Sequence, residues 1–124
     1  MAKLHLTKCE LEVMDVVWRK GRATVQDVVD SLERPLAYTT VMTTLKILDE
    51  SRRVVRRRKE GRAYVYEPVV SREKISRSMT DDLTKRLFGG SVKSLVLSLF
   101  ESDSMSQSDI EELKQAIQSL EKDA

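Results

Sequence analysis

The side chains best placed to do chemistry are threonines, a methionine and a lysine on one predicted helix, AYTTVMTTLKILDE (residues 37–50). Val41, Leu45 and Leu48 recur at helical spacing and can face a core, which turns the threonine-rich face outward. Threonine hydroxyls can hydrogen-bond to bases or phosphates, and their methyl groups suit the thymine methyl. The pattern predicts a helix that enters a groove of DNA. Its candidate contact residues are Tyr38, Thr39, Thr40, Met42, Thr43 and Lys46.

A basic hairpin follows this helix directly, with the sequence SRRVVRRRKEGRAYVY (residues 51–66). Val54–Arg58 and Ala63–Glu67 are β-rich runs, and Gly61 can supply the positive φ of the turn between them. Glu60 is the one acidic residue inside this run. Such a ribbon can hold phosphates or enter the minor groove, and its arginines would dominate the salt dependence of binding. Its candidate contact residues are Arg56, Arg58, Lys59 and Arg62.

Three short helices should position this unit. Thr7 and Glu10 form a capping-box pattern, which opens a helix that should end near Gly21. A second helix starts at Thr24, and Pro35 should end it, because proline disfavours helical geometry at the residue before it. The third helix is the threonine-rich one. Three helices followed by a ribbon predict a winged helix-turn-helix domain over residues 1–70, in a protein that is mostly α with a small β-wing.

Residues 71–124 carry three further predicted helices, each with apolar residues on one side. Ser71 can cap the first, and Ser108 with Glu111 offers a capping box for the last. The stripes could be buried in an intramolecular bundle or against a second copy. We favour a second copy, because DNA readers with one short recognition helix gain affinity from two-fold symmetric half-sites. The residues predicted to form this helical dimerisation region are Leu83, Leu87, Val92, Leu95, Val96, Leu99, Phe100, Ile110, Leu113, Ile117 and Leu120.

Charge is distributed unevenly along the 124 residues, although the formal net charge is only +2. Residues 1–70 hold 14 Lys+Arg and 10 Asp+Glu (+4), and residues 71–124 hold 8 and 10 (−2). A solvated helix face next to an ordinary charged hairpin is the alternative interpretation. The order of the elements and the acid-poor helix face together favour nucleic-acid binding.

The residue types in this chain argue against an enzymatic function. The chain has one cysteine, Cys9, and one histidine, His5, so it cannot form an internal disulfide or a metal site from these two residues alone. We also expect no Ser–His–Asp triad, because the one histidine lies in a short N-terminal arm. There is no Gly-rich phosphate loop. No apolar run approaches the ~20 residues that span a bilayer, and the N-terminus lacks the apolar stretch of a secretory signal. We therefore expect a cytoplasmic protein with no cofactor, no metal and no membrane insertion.

Four stretches of the chain together resemble one family. They are ELEVMDVVW (10–18), LAYTTVMTTLKIL (36–48), KEGRAYVYEP (59–68) and SLVLSLFES (94–102), in the order expected for the penicillinase-repressor family of the BlaI/MecI/CopY type. The resemblance implies a homodimeric bacterial repressor with an N-terminal winged helix, a C-terminal helical dimerisation region and a palindromic operator in double-stranded DNA. It places recognition-helix contacts at Thr39, Thr40, Met42 and Thr43, and wing contacts around Arg58, Lys59 and Arg62.

The chain departs from the family pattern at three places. β-lactam-responsive members are inactivated by cleavage at an Asn-Phe bond, and the resemblance implies a membrane sensor or a protease acting in trans as a partner. The residues at that position in this chain are Ser98 and Leu99. Copper-responsive members carry Cys-x-Cys pairs near the C-terminus, and this chain has none. A glycine is usual after the recognition helix, where this sequence has residues 51–53, Ser-Arg-Arg, so the turn must close without it.

Two other functions fit parts of the pattern. A low-specificity architectural DNA-binding protein would use mainly the charge of the ribbon. A helical adaptor with a DNA-binding module would use residues 71–124 to bind a different protein. A sequence-specific dimeric repressor accounts for both halves of the chain.

Overall fold

The computed structural model describes residues 4–102 and 105–123. In those ranges the chain forms six helices and a two-stranded antiparallel sheet, which confirms a mostly helical fold with a small β-ribbon. None of the described helices is both long and apolar enough to cross a membrane. The elements are α1 (Lys8–Lys20), α2 (Val25–Ser31), α3 (Tyr38–Glu50), β1 (Val55–Glu60), β2 (Ala63–Pro68), α4 (Arg72–Phe88), α5 (Val92–Glu101) and α6 (Gln107–Asp123).

Local caps define where the first two helices begin. Thr7 and Glu10 form the predicted capping box on α1, and Gly21 ends that helix in the left-handed region at φ 79°. Thr24 caps α2 in the same way. However, α2 ends at Ser31, earlier than the proline signal predicted. The next residue, Leu32, already has an extended backbone. Proline restricts only the residue directly before it, so it could not determine this earlier exit.

The predicted core face of α3 is confirmed. Val41, Leu45 and Leu48 are fully buried against α1 and α2. After α3 the chain turns sharply, and the amide of Val54 donates to the carbonyl of Leu48 at 2.9 Å. Arg53 takes φ 55° in this turn, the left-handed conformation that favours glycine. The turn therefore closes as expected without a glycine, at the cost of some backbone strain.

The ribbon is a tight hairpin. Glu60 pairs with Ala63 at its end, and Gly61 takes φ 63° at the first position of the two-residue turn. At the base of the ribbon, Ala23 forms an isolated antiparallel bridge with Tyr66. Two hydrogen bonds between their backbones, 3.0 and 2.8 Å long, tie the ribbon to the segment between α1 and α2.

One apolar core holds these elements together. It combines α1, α2, α3 and the base of the ribbon, and Ile75 of α4 also belongs to it. Trp18 packs at its edge, where its indole N–H donates to the carbonyl of Val70 at 2.9 Å. The buried apolar residues of this cluster are Leu6, Val13, Met14, Val16, Val17, Ala23, Val25, Val28, Val41, Leu45, Leu48, Val54, Val55, Tyr66 and Ile75.

The chain divides into two compact units, the first reaching Thr80 and the second beginning at Asp81, so the division falls within α4. Ser71 caps α4 by accepting from the amide of Lys74 at 3.1 Å. The cap of α6 differs from the one predicted at residues 108 and 111. Ser106 and Asp109 form the capping box instead. The amide of Ser106 donates to the Asp109 carboxylate and the amide of Asp109 donates to the Ser106 hydroxyl, each at 3.1 Å. Two overlapping Ser-x-x-acid patterns lie in this segment, and the earlier one starts the helix.

The helices of the second unit leave their apolar stripes open in the single chain. Neither α5 nor α6 has a buried residue. Leu87, Val92 and Leu120 are about two-thirds exposed, at 69%, 65% and 71%. The other predicted dimerisation residues with substantial exposure are Leu83, Val96, Leu99, Phe100 and Ile117, while Leu95, Ile110 and Leu113 are half-buried.

Candidate nucleic-acid interface

The outward face of α3 carries the predicted recognition residues. Tyr38 and Met42 are 49% and 45% exposed, and all the other candidate contact residues on this helix are exposed as well. Thr44 differs: it is buried, and its hydroxyl donates to the carbonyl of Thr40 at 2.8 Å. The first turn of α3 contains no acidic residue. The helix therefore presents short polar and apolar side chains to solvent, a surface suited to base edges.

A cleft of ≈ 610 Å³ lies between α3 and the ribbon. Its walls carry three cationic side chains, Lys46, Arg57 and Arg62, and no carboxylate. Three tyrosines, Tyr38, Tyr64 and Tyr66, also line it. Together with the cationic side chains they form a concave and positively charged surface. The complete lining is Thr24, Val25, Gln26, Tyr38, Met42, Thr43, Lys46, Arg57, Arg62, Ala63, Tyr64 and Tyr66.

The arginines of β1 point to opposite faces of the ribbon, because side chains alternate along a strand. Arg57 lies on the cleft side with Tyr64 and Tyr66. Arg56 and Arg58 lie on the other side, where both approach the carboxylate of Glu67, at 3.5 and 2.9 Å. Glu67 stands opposite Arg56 in the sheet register. The charge of these two arginines is therefore partly neutralised within the ribbon.

Arg57 is held by several neighbours at once. Its guanidinium lies 4.4 Å from the centre of the Tyr64 ring and 4.0 Å from the Asp49 carboxylate. Burial raises the pKa of the Tyr66 hydroxyl, and the nearby Arg57 acts in the opposite direction without cancelling the rise. The hydroxyl of Tyr66 therefore remains protonated at neutral pH and can donate a hydrogen bond.

The sequence-predicted contact residues thus separate into groups. Five of them line the cleft, and Thr39 and Thr40 lie outside it on the exposed start of α3. Within the described part of the chain, Lys59 makes no ion pair. Arg57 was not among the predicted contacts. The alternation of side chains could have indicated it, since Arg57 is two residues beyond the buried Val55 and so shares its face. The cleft-lining members of the predicted set are Tyr38, Met42, Thr43, Lys46 and Arg62.

One cation of the basic run, Arg52, and the one carboxylate of the run, Glu60, have structural partners outside the cleft. The guanidinium of Arg52 donates to the nearly buried carboxylate of Glu10, at 3.1 and 3.3 Å. Near the turn of the ribbon, Arg22 pairs with Glu60. The number of basic residues in the segment therefore overstates the charge that is available to a ligand.

Ser98 and Leu99, the position where the family resemblance places a cleavable bond, lie in α5 and are exposed. A helical peptide bond has to unfold locally before a protease can extend it in an active site. No group of three or more potential metal-ligating side chains is gathered among residues 4–102 and 105–123.

Comparisons with known proteins identify the family of the chain. A family model described as penicillinase repressor matches residues 6–119. The penicillinase repressor of Bacillus licheniformis is 28% identical over 116 residues, which cover 92% of this chain and 90% of that protein. The transcriptional regulator BlaI of Mycobacterium tuberculosis is 36% identical over 126 residues, covering 98% of this chain and 89% of that protein.

A solved structure extends the agreement to the fold. The solution structure of the DNA-binding domain of the repressor BlaI matches with a TM-score of 0.50 and 28% identity. The match covers 56% of this chain and 85% of that domain. The family match spans both units, and the structural match supports a winged-helix fold. This chain belongs to the penicillinase repressor family, whose members are DNA-binding transcriptional repressors and not enzymes.

Proposed function

We propose that two copies of this protein bind one palindromic operator in duplex DNA and so block transcription of the neighbouring genes. In each copy α3 lies in the major groove and the ribbon contacts the adjacent backbone and minor groove. The observation that carries this proposal is the cleft next to the exposed face of α3, which gathers three cationic side chains and no carboxylate. Because its relatives are bacterial and its ligand is DNA, we propose that the protein acts in the cytoplasm.

The dimensions of α3 suit this docking. Its 13 residues make a rod roughly 20 Å long, and the major groove is about 12 Å wide. Thr39, Thr40 and Thr43 can offer hydroxyls and methyl groups to base edges, and Met42 offers an adaptable apolar contact. Lys46, one turn further along, can reach a phosphate. Specificity would therefore come from short side chains, with the cations supplying affinity.

The occupant we propose for the open apolar stripes of α5 and α6 is a second copy of this chain. An exposed row of large apolar side chains is unfavourable in water and marks an interaction surface. Leu99 and Phe100 are 47% and 40% exposed in the single chain, and this exposure argues against an intramolecular bundle that buries them. A two-fold symmetric pair would bury the same stripe from both copies and present two α3 helices to two half-sites.

Selection of operators tests the proposal directly. The full-length protein is incubated with a pool of randomised duplexes, and the bound fraction is sequenced. We expect enrichment of an inverted repeat whose half-site centres are about one helical turn, or a whole number of turns, apart. Sedimentation of the selected complex should give two chains per duplex.

The alternatives predict other results. Equal retention of all sequences at fixed salt would indicate an architectural protein. A full-length chain that stays monomeric at the concentrations of the assay, and that binds its half-site singly, would contradict the dimer and favour an adaptor role for α5 and α6.

A further inference from the structure

We propose that the cleft between α3 and the ribbon binds one phosphodiester group of the DNA backbone, and that Arg57 is the fixed donor to it. The inference rests on the proposed docking of α3 and adds a residue and a site to it. The cleft is concave and about 610 Å³ in volume, and its lining combines three cationic and five hydroxyl-bearing side chains with Val25, Gln26, Met42 and Ala63. The ligand class follows from this lining, because a phosphodiester is the anion that duplex DNA presents at its surface.

The position of the cleft is where a DNA strand has to pass. With a helix in the major groove and a ribbon at the adjacent minor groove, the sugar-phosphate strand between the two grooves lies between these elements. Tyr38 and Lys46 on α3 would then face that strand from one side, and Arg57 and Arg62 on the ribbon would face it from the other. Contacts to phosphate set the register of a reader on the duplex without reading its sequence.

Arg57 is suited to the role because its direction is already determined. Its planar guanidinium stacks on Tyr64 at 4.4 Å, so little conformational freedom remains to be lost on binding. The 4.0 Å separation from Asp49 is long for a hydrogen bond. Asp49 therefore orients the guanidinium electrostatically. The guanidinium also lies within hydrogen-bonding reach of the Tyr66 hydroxyl, and the remaining N–H donors of its planar fork are available to a ligand.

Arg56 and Arg58 do not meet these conditions. They lie on the opposite face of β1 and share the carboxylate of Glu67. Arg56 was itself a sequence-predicted contact, but it lies outside the cleft and beside Glu67. Because it has the same charge as Arg57 and is the adjacent residue on the same strand, it is the matched comparison for the cleft site. A general attraction between DNA and the ribbon would treat the two arginines alike, whereas a phosphate site in the cleft distinguishes them.

The test measures binding of the full-length protein to a fluorescent mixed-sequence duplex by anisotropy, over a series of salt concentrations. Mixed-sequence DNA is sufficient because a phosphate contact is independent of sequence. We expect R57A to weaken binding on the order of tenfold and to reduce the salt slope by about 0.9. R56A should change the affinity by about twofold or less. R57K should keep the salt slope but show most of the loss in affinity expected for R57A, because lysine retains the charge without the planar stack.

Equal losses for R56A and R57A, or an R57K variant as tight as the unchanged protein, would overturn the site. Thermal unfolding checks that the variants fold. If R57A does not fold, R62A replaces it, since Arg62 is an exposed residue of the ribbon turn that also lines the cleft; an unchanged slope for R62A would then count against the proposal. Failure of the unchanged protein to bind any duplex would instead refute the proposed docking itself.

Discussion

The carboxylate of Glu10 and the guanidinium of Arg52 form a two-point ion pair, 3.1 and 3.3 Å, between residues that are 42 positions apart. Glu10 caps the first turn of α1, and Arg52 lies in the turn that follows α3. The pair therefore joins the start of α1 to the end of α3. It also removes Arg52 from the basic surface.

This pair predicts a pH-dependent stability. Burial acts to raise the pKa of Glu10, but hydrogen bonds from the Thr7 backbone and from Arg52 outweigh it, so the pKa lies below its ordinary value of 4.5. A lowered folded-state pKa means that the pair stabilises the fold above about pH 4.5. That contribution is lost as the pH falls through the folded-state pKa.

The variant Glu10→Gln should accordingly lower the free energy of unfolding by about 1–3 kcal/mol at neutral pH. The difference from the unchanged protein should shrink once the pH falls below the folded-state pKa of Glu10, where the carboxyl is protonated in both states. Urea denaturation at pH 7 and at an acidic pH below that pKa measures it. Glu33→Gln, at an exposed carboxylate, serves as the control and should be nearly neutral at both values. A deficit in Glu10→Gln that does not change with pH would show that the ion pair is not its source.

The left-handed backbone of Arg53 predicts a stabilising substitution. At φ 55° a residue with a side chain is strained by about 1–2 kcal/mol, and glycine is not. Glycine also has more freedom to lose on folding, so Arg53→Gly should stabilise by about 0.5–1 kcal/mol, or a few degrees in Tm. Arg53→Ala removes the same charge but keeps the strain, and should give no gain. Equal stabilisation by both variants would assign the effect to charge.

Thr43 should contribute to sequence discrimination. Thr43→Ala is expected to lower the preference for the selected operator over mixed-sequence duplex by about 1–3 kcal/mol, with unchanged stability, because the side chain is exposed on α3. Lys46→Ala should weaken both duplexes alike, since a phosphate contact carries no sequence information. Anisotropy at fixed salt gives both ratios. The reverse pattern would exchange the roles assigned to these two residues.

Leu99 should be essential for the dimer and dispensable for the winged-helix unit. Because it is 47% exposed in the single chain, Leu99→Asp costs the monomer little, while an aspartate in a paired apolar stripe is strongly unfavourable. We expect sedimentation to show monomers, and operator affinity to fall with the loss of the second half-site. Ser94→Asp adds the same charge on the opposite side of α5 and should leave the dimer intact. A Leu99→Asp protein that still dimerises would show that the interface lies elsewhere.

Features that depend on neighbouring residues in sequence were the most predictable. The capping box at Thr7, the helix start at Thr24 and the turn at Gly61 follow from short spacings, and the structure confirms them. Even so, local rules failed where two signals competed. Ser106 and not Ser108 caps α6, and α2 ends before its proline signal, so short sequence patterns located these helix ends only to within a few residues.

The division of the basic residues was harder to predict. Counting cations treats Arg56, Arg57 and Arg58 as equal, yet the alternation of a strand separates them into two faces. The pairing of Arg58 with Glu67 depends on hairpin register, and the pairing of Arg52 with Glu10 joins residues far apart in sequence. No local window contains such partners. The sequence therefore predicted a candidate interface but could not tell which charges are committed to the fold.

The backbone bridge between Ala23 and Tyr66 has a mechanical consequence for the ribbon. It holds the hairpin near its base, so the outer part behaves as a beam fixed at one end, with displacement that increases toward Gly61. Slippage of the strands by one residue would break the bridge and reverse every inward and outward side chain at the same time. Length changes at the tip would leave the bridge intact. The length of the ribbon can therefore change without altering its attachment to the rest of the domain.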